Sequence, residues 1–143
     1  MSTLVEQLGK DPQRPQVIAE CVDLIDAQVK QKGFVIKSAY ATIKAIKKRF
    51  VVEVVDALLD DWLAKIQPHY DKWAANKQST FSDYVIARSD DVAEDLLSVT
   101  DARAEKTSHT TAKKLYHRMR NGAKRDVVEA IPDLARMIEK RIS

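Results

Sequence analysis

Residues 50–66 read FVVEVVDALLDDWLAKI, and their spacing decides the fold class. Phe50, Val51, Val54, Val55, Leu58, Leu59, Trp62, Leu63 and Ile66 recur at steps of three and four, while Glu53, Asp56, Asp60, Asp61 and Lys65 take the other side. An α-helix returns to the same face every 3.6 residues and a strand every two, so this stretch is an amphipathic helix with a wide apolar stripe, the kind that faces a bundle core. Its valines do not make it a strand, because the period is helical. Pro68 is expected to kink or end the helix, and Trp73 and its neighbours carry it to about Asn76.

Upstream, Ser2 or Thr3 can cap a short helix that Gly9 ends, and Asp11-Pro12 and Pro15 punctuate the next stretch of chain. A long helix is expected from about Pro15 to Lys32, with Pro15 in its first turn and Gly33 as the residue after its end. A second spans roughly Val35 to Lys48, with Ile36, Ala39, Tyr40, Ile43 and Ile46 on its apolar face. Downstream, Lys77-Gln78-Ser79-Thr80 is a polar linker and the halfway boundary. A short helix covers Phe81 to Ala87. Ser89 suits an N-cap, and Asp90 and Asp91 suit the positive end of the helix dipole. That helix runs to about Lys106. After the polar Thr107–Thr111 stretch, another ends at Arg120, where Asn121-Gly122 reads as a stop. The last helix carries Val127, Val128, Ile131, Leu134, Ala135, Ile138 and Ile142, with a kink at Pro132.

The fold class is therefore all-α, a single helical domain over residues 1–143 with about six main helices. Composition agrees: hydrophobic residues are 45% of the chain, enough for a core, and only three Gly and four Pro are present, too few for the many tight turns of an all-β fold. Two halves, about 15–76 and 81–143, look alike at an offset of 76. Tyr40 falls on Tyr116, Lys48-Arg49 on Lys124-Arg125, Val51-Val52-Glu53 on Val127-Val128-Glu129, Leu58 on Leu134 and Ile66 on Ile142. Ile18-Ala19-Glu20 resembles Val92-Ala93-Glu94, and Asp26-Ala27 resembles Asp101-Ala102, with one residue inserted between. Shared periodicity does not dictate the order Lys-Arg-x-Val-Val-Glu, so an internal duplication is expected, with two pseudo-symmetric three-helix units packed through their apolar stripes.

Lys37, Tyr40, Lys44 and Lys47, then Val54-Val55-Asp56-Ala57-Leu58-Leu59, then Gln67-Pro68 with Tyr70, resemble an uncharacterised family of small bacterial helical proteins. Val99-Thr100-Asp101-Ala102-Arg103-Ala104-Glu105 and the Ala130-Ile131-Pro132 helix are similar too. The resemblance covers the chain from about Gly33 to its end and implies a bacterial source and an all-helical fold. The family carries no assigned activity, so it transfers no functional residue.

The residues themselves offer little chemistry. Cys21 is the one cysteine, within the series Val17, Ile18, Cys21, Val22, Ile25, and reads as a small buried hydrophobe. It excludes an intrachain disulfide and a thiolate zinc site. His69, His109 and His117 read as solvated; Glu105 and His109 are four apart, but no Glu-x-x-His pair of a carboxylate-bridged metal bundle occurs. Asp60-Asp61 and Asp90-Asp91 are neighbours that point about 100° apart on a helix and form no shared site. Trp62, Tyr70 and Trp73 gather near Pro68, as core packing before a pocket. No Gly-rich phosphate loop or nucleophile elbow is present. The expected protein is not an enzyme and has no cofactor.

Charge gives the remaining lead. The net charge is +3, mild for a nucleic-acid binder, and it is evenly spread between the halves. Lys44, Lys47, Lys48 and Arg49 end one helix; Lys124 and Arg125, with Lys113, Lys114, Arg118 and Arg120 before them, surround the matching place in the second half. Their plain role is to meet the negative ends of helix dipoles. Their functional role would be to contact phosphates, giving weak, sequence-independent nucleic-acid binding. The leading expectation is a non-enzymatic helical interaction or scaffold protein with a protein partner, and nucleic acid is the alternative. A closed apolar cavity between the halves would instead favour a small-ligand carrier. No apolar run spans a membrane and the first ten residues hold no secretory h-region, which points to the cytoplasm.

Overall fold

A computed structural model describes residues 3–46 and 48–142, with side chains at all of these except Val35, Ile46 and Asn121. Among the described residues the regular structure is all α-helical: α1 (Leu4–Leu8), α2 (Gln13–Lys30), α3 (Phe34–Ile46), α4 (Phe50–Ala75), α5 (Phe81–Ile86), α6 (Ser89–Lys106) and α7 (Thr110–Glu139). α2 packs on α4 and α7, α4 on α6, and α6 on α7, so the four long helices close around one core. α1 lies on α4 and α2, α5 lies mainly on α7, and α3 touches α2, α4 and α7.

The helix starts follow from local chemistry. Thr3 caps α1: its side chain accepts from the Glu6 N–H while the Glu6 carboxylate accepts from the Thr3 N–H, which satisfies two of the free donors at a helix start. Thr80 repeats the first half of this device at α5, accepting from the Asp83 N–H. A second kind of cap comes from far along the chain. Gln67 Oε1 accepts from the Leu4 N–H at 2.7 Å, and the Glu139 carboxylate accepts from Ser82 N–H and its hydroxyl at 3.1 and 3.2 Å. Asp90 and Asp91 sit in the first turn of α6 as expected, but Arg88 holds the cap position and the Ser89 hydroxyl donates back to the Ile86 carbonyl.

The α4 stripe is buried as its spacing predicts: Val55, Leu58, Leu59, Leu63 and Ile66 are all core residues. Leu59, Leu63 and Ile66 share one cluster with Leu4, Leu8, Val17, Phe81, Val92 and Ile131. Pro68 does not end α4, nor Pro132 α7. Pro68 and Ala64, four residues before it, are both exposed, so water can serve the carbonyl that proline leaves without a donor. Gly33 does not take a left-handed cap; no described glycine has positive φ. Its carbonyl instead accepts from Lys37 N–H at the start of α3.

The largest departure concerns Asn121-Gly122. The helix expected to stop there continues, and α7 is one helix of 30 residues in place of two. Glycine in a helix interior costs only about 1 kcal/mol. Leu115, Met119, Ala123, Val127, Ile131, Leu134 and Ile138 keep helical phase across it, and all seven are buried or partly buried. Burying that unbroken stripe outweighs a single glycine.

Candidate functional site

A partly open cavity of about 320 Å³ lies between α2, α4, α6 and α7. α2 supplies Cys21, Leu24 and Gln28 to its wall, α4 supplies Leu59 and Trp62, α6 Leu97 and Thr100, and α7 Ala123, Val127 and Leu134. Hydrocarbon dominates the lining. Several of its few polar side chains are held by protein partners: the Trp62 indole N–H donates to the Leu96 carbonyl at 3.3 Å, the Thr100 hydroxyl donates to the same carbonyl at 3.1 Å, and Tyr116 donates to the Asp101 carboxylate. Burial pushes the Cys21 thiol up to about 11, with the Glu20 carboxylate adding to it. Cys21 therefore stays protonated near neutrality, in the packing role its sequence context implies.

Two ion clusters flank the cavity. Lys32, a wall residue, bonds Glu129 and lies 3.1 Å from Asp126; the Glu129 contact above all holds its ammonium above its ordinary pKa. Arg120, also in the wall, clasps Asp101 at 2.8 and 3.1 Å. That guanidinium, helped by Tyr116, keeps Asp101 below the usual carboxylate range against the opposing effect of burial. A second cavity of about 250 Å³ adjoins the first, with Thr100, Tyr116 and Met119 in both walls, and is completed by Ile43 of α3, Phe50 of α4 and His109.

The basic residues singled out in the sequence are interleaved with acids. Lys44 lies 3.8 Å from Asp26 and Lys124 3.2 Å from Glu94. Arg49 and Arg125 are exposed. Lys47 falls outside the described residues. Lys124 and Arg125 lie in the interior of α7, so they cannot serve a helix end there as they were expected to.

The histidines are less uniform than expected. His69 is mostly buried, with Nε2 2.8 Å from Asp95; His109 packs edge-on against Phe50; His117 lies 3.7 Å from Glu105. Glu105 and His109 do not share a helix, since α6 ends at Lys106. Among the described residues no group of three or more His, Cys, Asp or Glu could hold a metal ion. Asp60 is occupied by Arg14, which also takes Asp56 and the Gly9 carbonyl. Tyr70 and Trp73 pack with Phe81 at 5.9 and 5.5 Å between ring centroids, so the aromatic cluster is core, while Trp62 lines the cavity. No helix among the described residues is long and apolar enough to cross a membrane.

The cavity was not legible in the sequence. Its one local signal is the pair Ala123 and Ala130, small residues on the apolar face of α7 where larger ones would fill the space. No curated protein and no solved structure gives a significant match to the chain. A family model does match, over residues 4–142: the chain belongs to a family of unknown function, DUF6918.

Proposed function

We propose that the protein is a non-enzymatic binding protein whose apolar cavity receives a small hydrophobic molecule. The cavity itself carries this reading. Protein interiors are close-packed, with few voids larger than a water molecule, whereas a space of about 320 Å³ is in the range of ligand pockets and has their composition, mostly apolar with a few polar groups. The experiment is a titration of the full chain with N-phenyl-1-naphthylamine, followed by probe fluorescence and thermal unfolding. Saturable one-to-one binding is expected, with a rise in melting temperature. Ala123→Phe and Ala130→Phe, which fill the space, should abolish binding while the helical circular dichroism persists. Absence of saturable binding to the parent, or equal binding to folded filled variants, overturns the reading.

Partnership with a macromolecule ranks behind it. Phe34 is 83% exposed at the start of α3 and is the feature a protein partner would use. Nucleic acid would have Arg49 and Arg125, but the carboxylates beside Lys44 and Lys124 would repel the same phosphates. A bacterial, cytoplasmic setting belongs to the same reading; the lone cysteine, which leaves no intrachain disulfide to form, agrees with it.

The duplication is likewise inferred, with two pseudo-symmetric units over about residues 15–76 and 81–143. Its support is a pair of matching bonds, Tyr40 to Asp26 and Tyr116 to Asp101, the tyrosines 76 apart in sequence and the aspartates 75. On this reading α7 corresponds to α3 and α4 joined into one helix. The cavity would then lie where the two units meet.

A further inference from the structure

One polar atom in the cavity wall has nothing to bind. Gln28 Oε1 is shut off from solvent and has no hydrogen-bond partner. Buried polar groups are ordinarily partnered, and an orphan calls for a water, an ion or a ligand. A water needs two to four polar neighbours to be held, yet the other polar side chains of this wall are already engaged. Thr100 and Trp62 serve the Leu96 carbonyl, Tyr116 and Arg120 serve Asp101, and Lys32 bonds Asp126 and Glu129. The remaining surface is hydrocarbon apart from the Cys21 thiol, a weak donor, so the unmet acceptor fits a ligand that brings its own donor on an apolar body.

The charge around the cavity limits what that donor can be. A carboxylate head would have to draw Lys32 or Arg120 away from the carboxylates that hold them. An ammonium head would have to displace Lys32 from Asp126, the carboxylate of the wall, or give up its hydration for a single amide. A neutral hydroxyl meets neither cost. It also suits either orientation of the glutamine amide, because a hydroxyl both donates and accepts. Size follows from the volume: an apolar cavity of about 150 Å³ takes benzene, so one twice as large takes roughly ten to fifteen carbons.

We propose that the cavity binds a neutral, hydroxyl-bearing apolar molecule of medium chain length, with its hydroxyl on the Gln28 side-chain amide. This rests on the reading of the cavity as a ligand site. The test displaces bound N-phenyl-1-naphthylamine from the full chain with 1-decanol, its isomer nonyl methyl ether, or decanoate, in the parent and in Gln28→Leu and Gln28→Met. In the parent, decanol should displace the probe at about three- to tenfold lower concentration than the ether or decanoate, the worth of one hydrogen bond. In whichever Gln28 variant keeps the helical spectrum and binds the probe, that preference for decanol over the ether should vanish. Equal displacement by decanol and ether in the parent, a preference kept without Gln28, or tightest binding of decanoate would each overturn the ligand class while leaving the cavity reading intact. A parent that does not bind the probe at all removes both.

Discussion

The Tyr116 hydroxyl donates to the Asp101 carboxylate, the same carboxylate that Arg120 clasps. Tyr40 makes the corresponding bond to Asp26, whose cationic partner, Lys44, stands 3.8 Å away. Both tyrosines are half-buried, and each bond ties a later helix back onto an earlier one: α3 onto α2, α7 onto α6. Tyr40→Phe and Tyr116→Phe should each destabilise the fold by about 1–2 kcal/mol, as loss of a bond to a charged acceptor does. Urea unfolding measures this, and a loss within experimental error at both sites would show the bonds to be incidental.

Asp101 makes stability depend on pH. Arg120 holds its carboxyl below the ordinary value. A carboxyl that titrates lower in the folded than in the unfolded state contributes stability that is complete above about pH 4 and is lost as pH falls through the folded value. Asp101→Asn removes that contribution. The unfolding free energy of this variant should therefore fall less steeply than the parent's from about pH 5 down to about pH 2. Identical pH profiles would contradict the assignment.

Two glycines should respond in opposite directions to alanine. At Gly9 a Cβ would come within 2.8 Å of the Val5 carbonyl and 2.9 Å of Asp60 Oδ1, and Asp60 is fixed by Arg14. At Gly122 a Cβ would meet nothing within 4 Å. Gly9→Ala should cost about 1–3 kcal/mol through forced displacement. Gly122→Ala should add about 0.5–1 kcal/mol, because it lies in a helix interior. Chemical denaturation of the two variants decides both, and destabilisation by Gly122→Ala would mean that α7 does not run unbroken.

Phe81, fully buried, fills the space between Tyr70 and Trp73. Phe81→Ala should cost about 3–5 kcal/mol, the usual loss for a deleted core aromatic. The Trp73 indole, whose N–H donates to the Ser79 carbonyl at 2.8 Å, should shift its emission to longer wavelength as water enters. A Trp62→Phe background isolates that signal.

For nucleic acid, a low-salt gel shift of the parent beside a variant with Lys48, Arg49, Lys124 and Arg125 all changed to Glu is the discriminating measurement. Weak retardation at most is expected, fading as salt rises. Equal retardation of parent and variant would exclude these residues as phosphate contacts.

Local signals in the sequence are legible where the physics is local. The helical period of residues 50–66 needs only side-chain spacing. The Thr3 cap and the Asp90-Asp91 turn need only the free N–H groups of a helix start. The features that escape the sequence are decided at a distance. Gly122 looks like a stop until the packing of both flanking stripes is known. His69 looks solvated until Asp95, 26 positions later, is placed against it. The cavity depends on how far apart α2, α4, α6 and α7 settle, and side-chain volumes along one chain do not encode that spacing directly. Gln28 is unremarkable as a residue on an amphipathic helix and gains meaning only through the hydrocarbon around its amide.

The continuity of α7 also governs how the molecule breathes. That helix touches α2, α3, α5 and α6, elements drawn from both halves of the chain. α7 runs unbroken through Gly122, with helical phase and burial maintained on either side, so the elements packed along it share one continuous support. Amide protons along its buried face should consequently exchange with solvent through a single whole-molecule unfolding event, with early exchange confined to α1 and α3. A ligand that fastens on α2 and α7 together would slow that exchange everywhere at once, so occupancy of the cavity would be readable from amides far outside it.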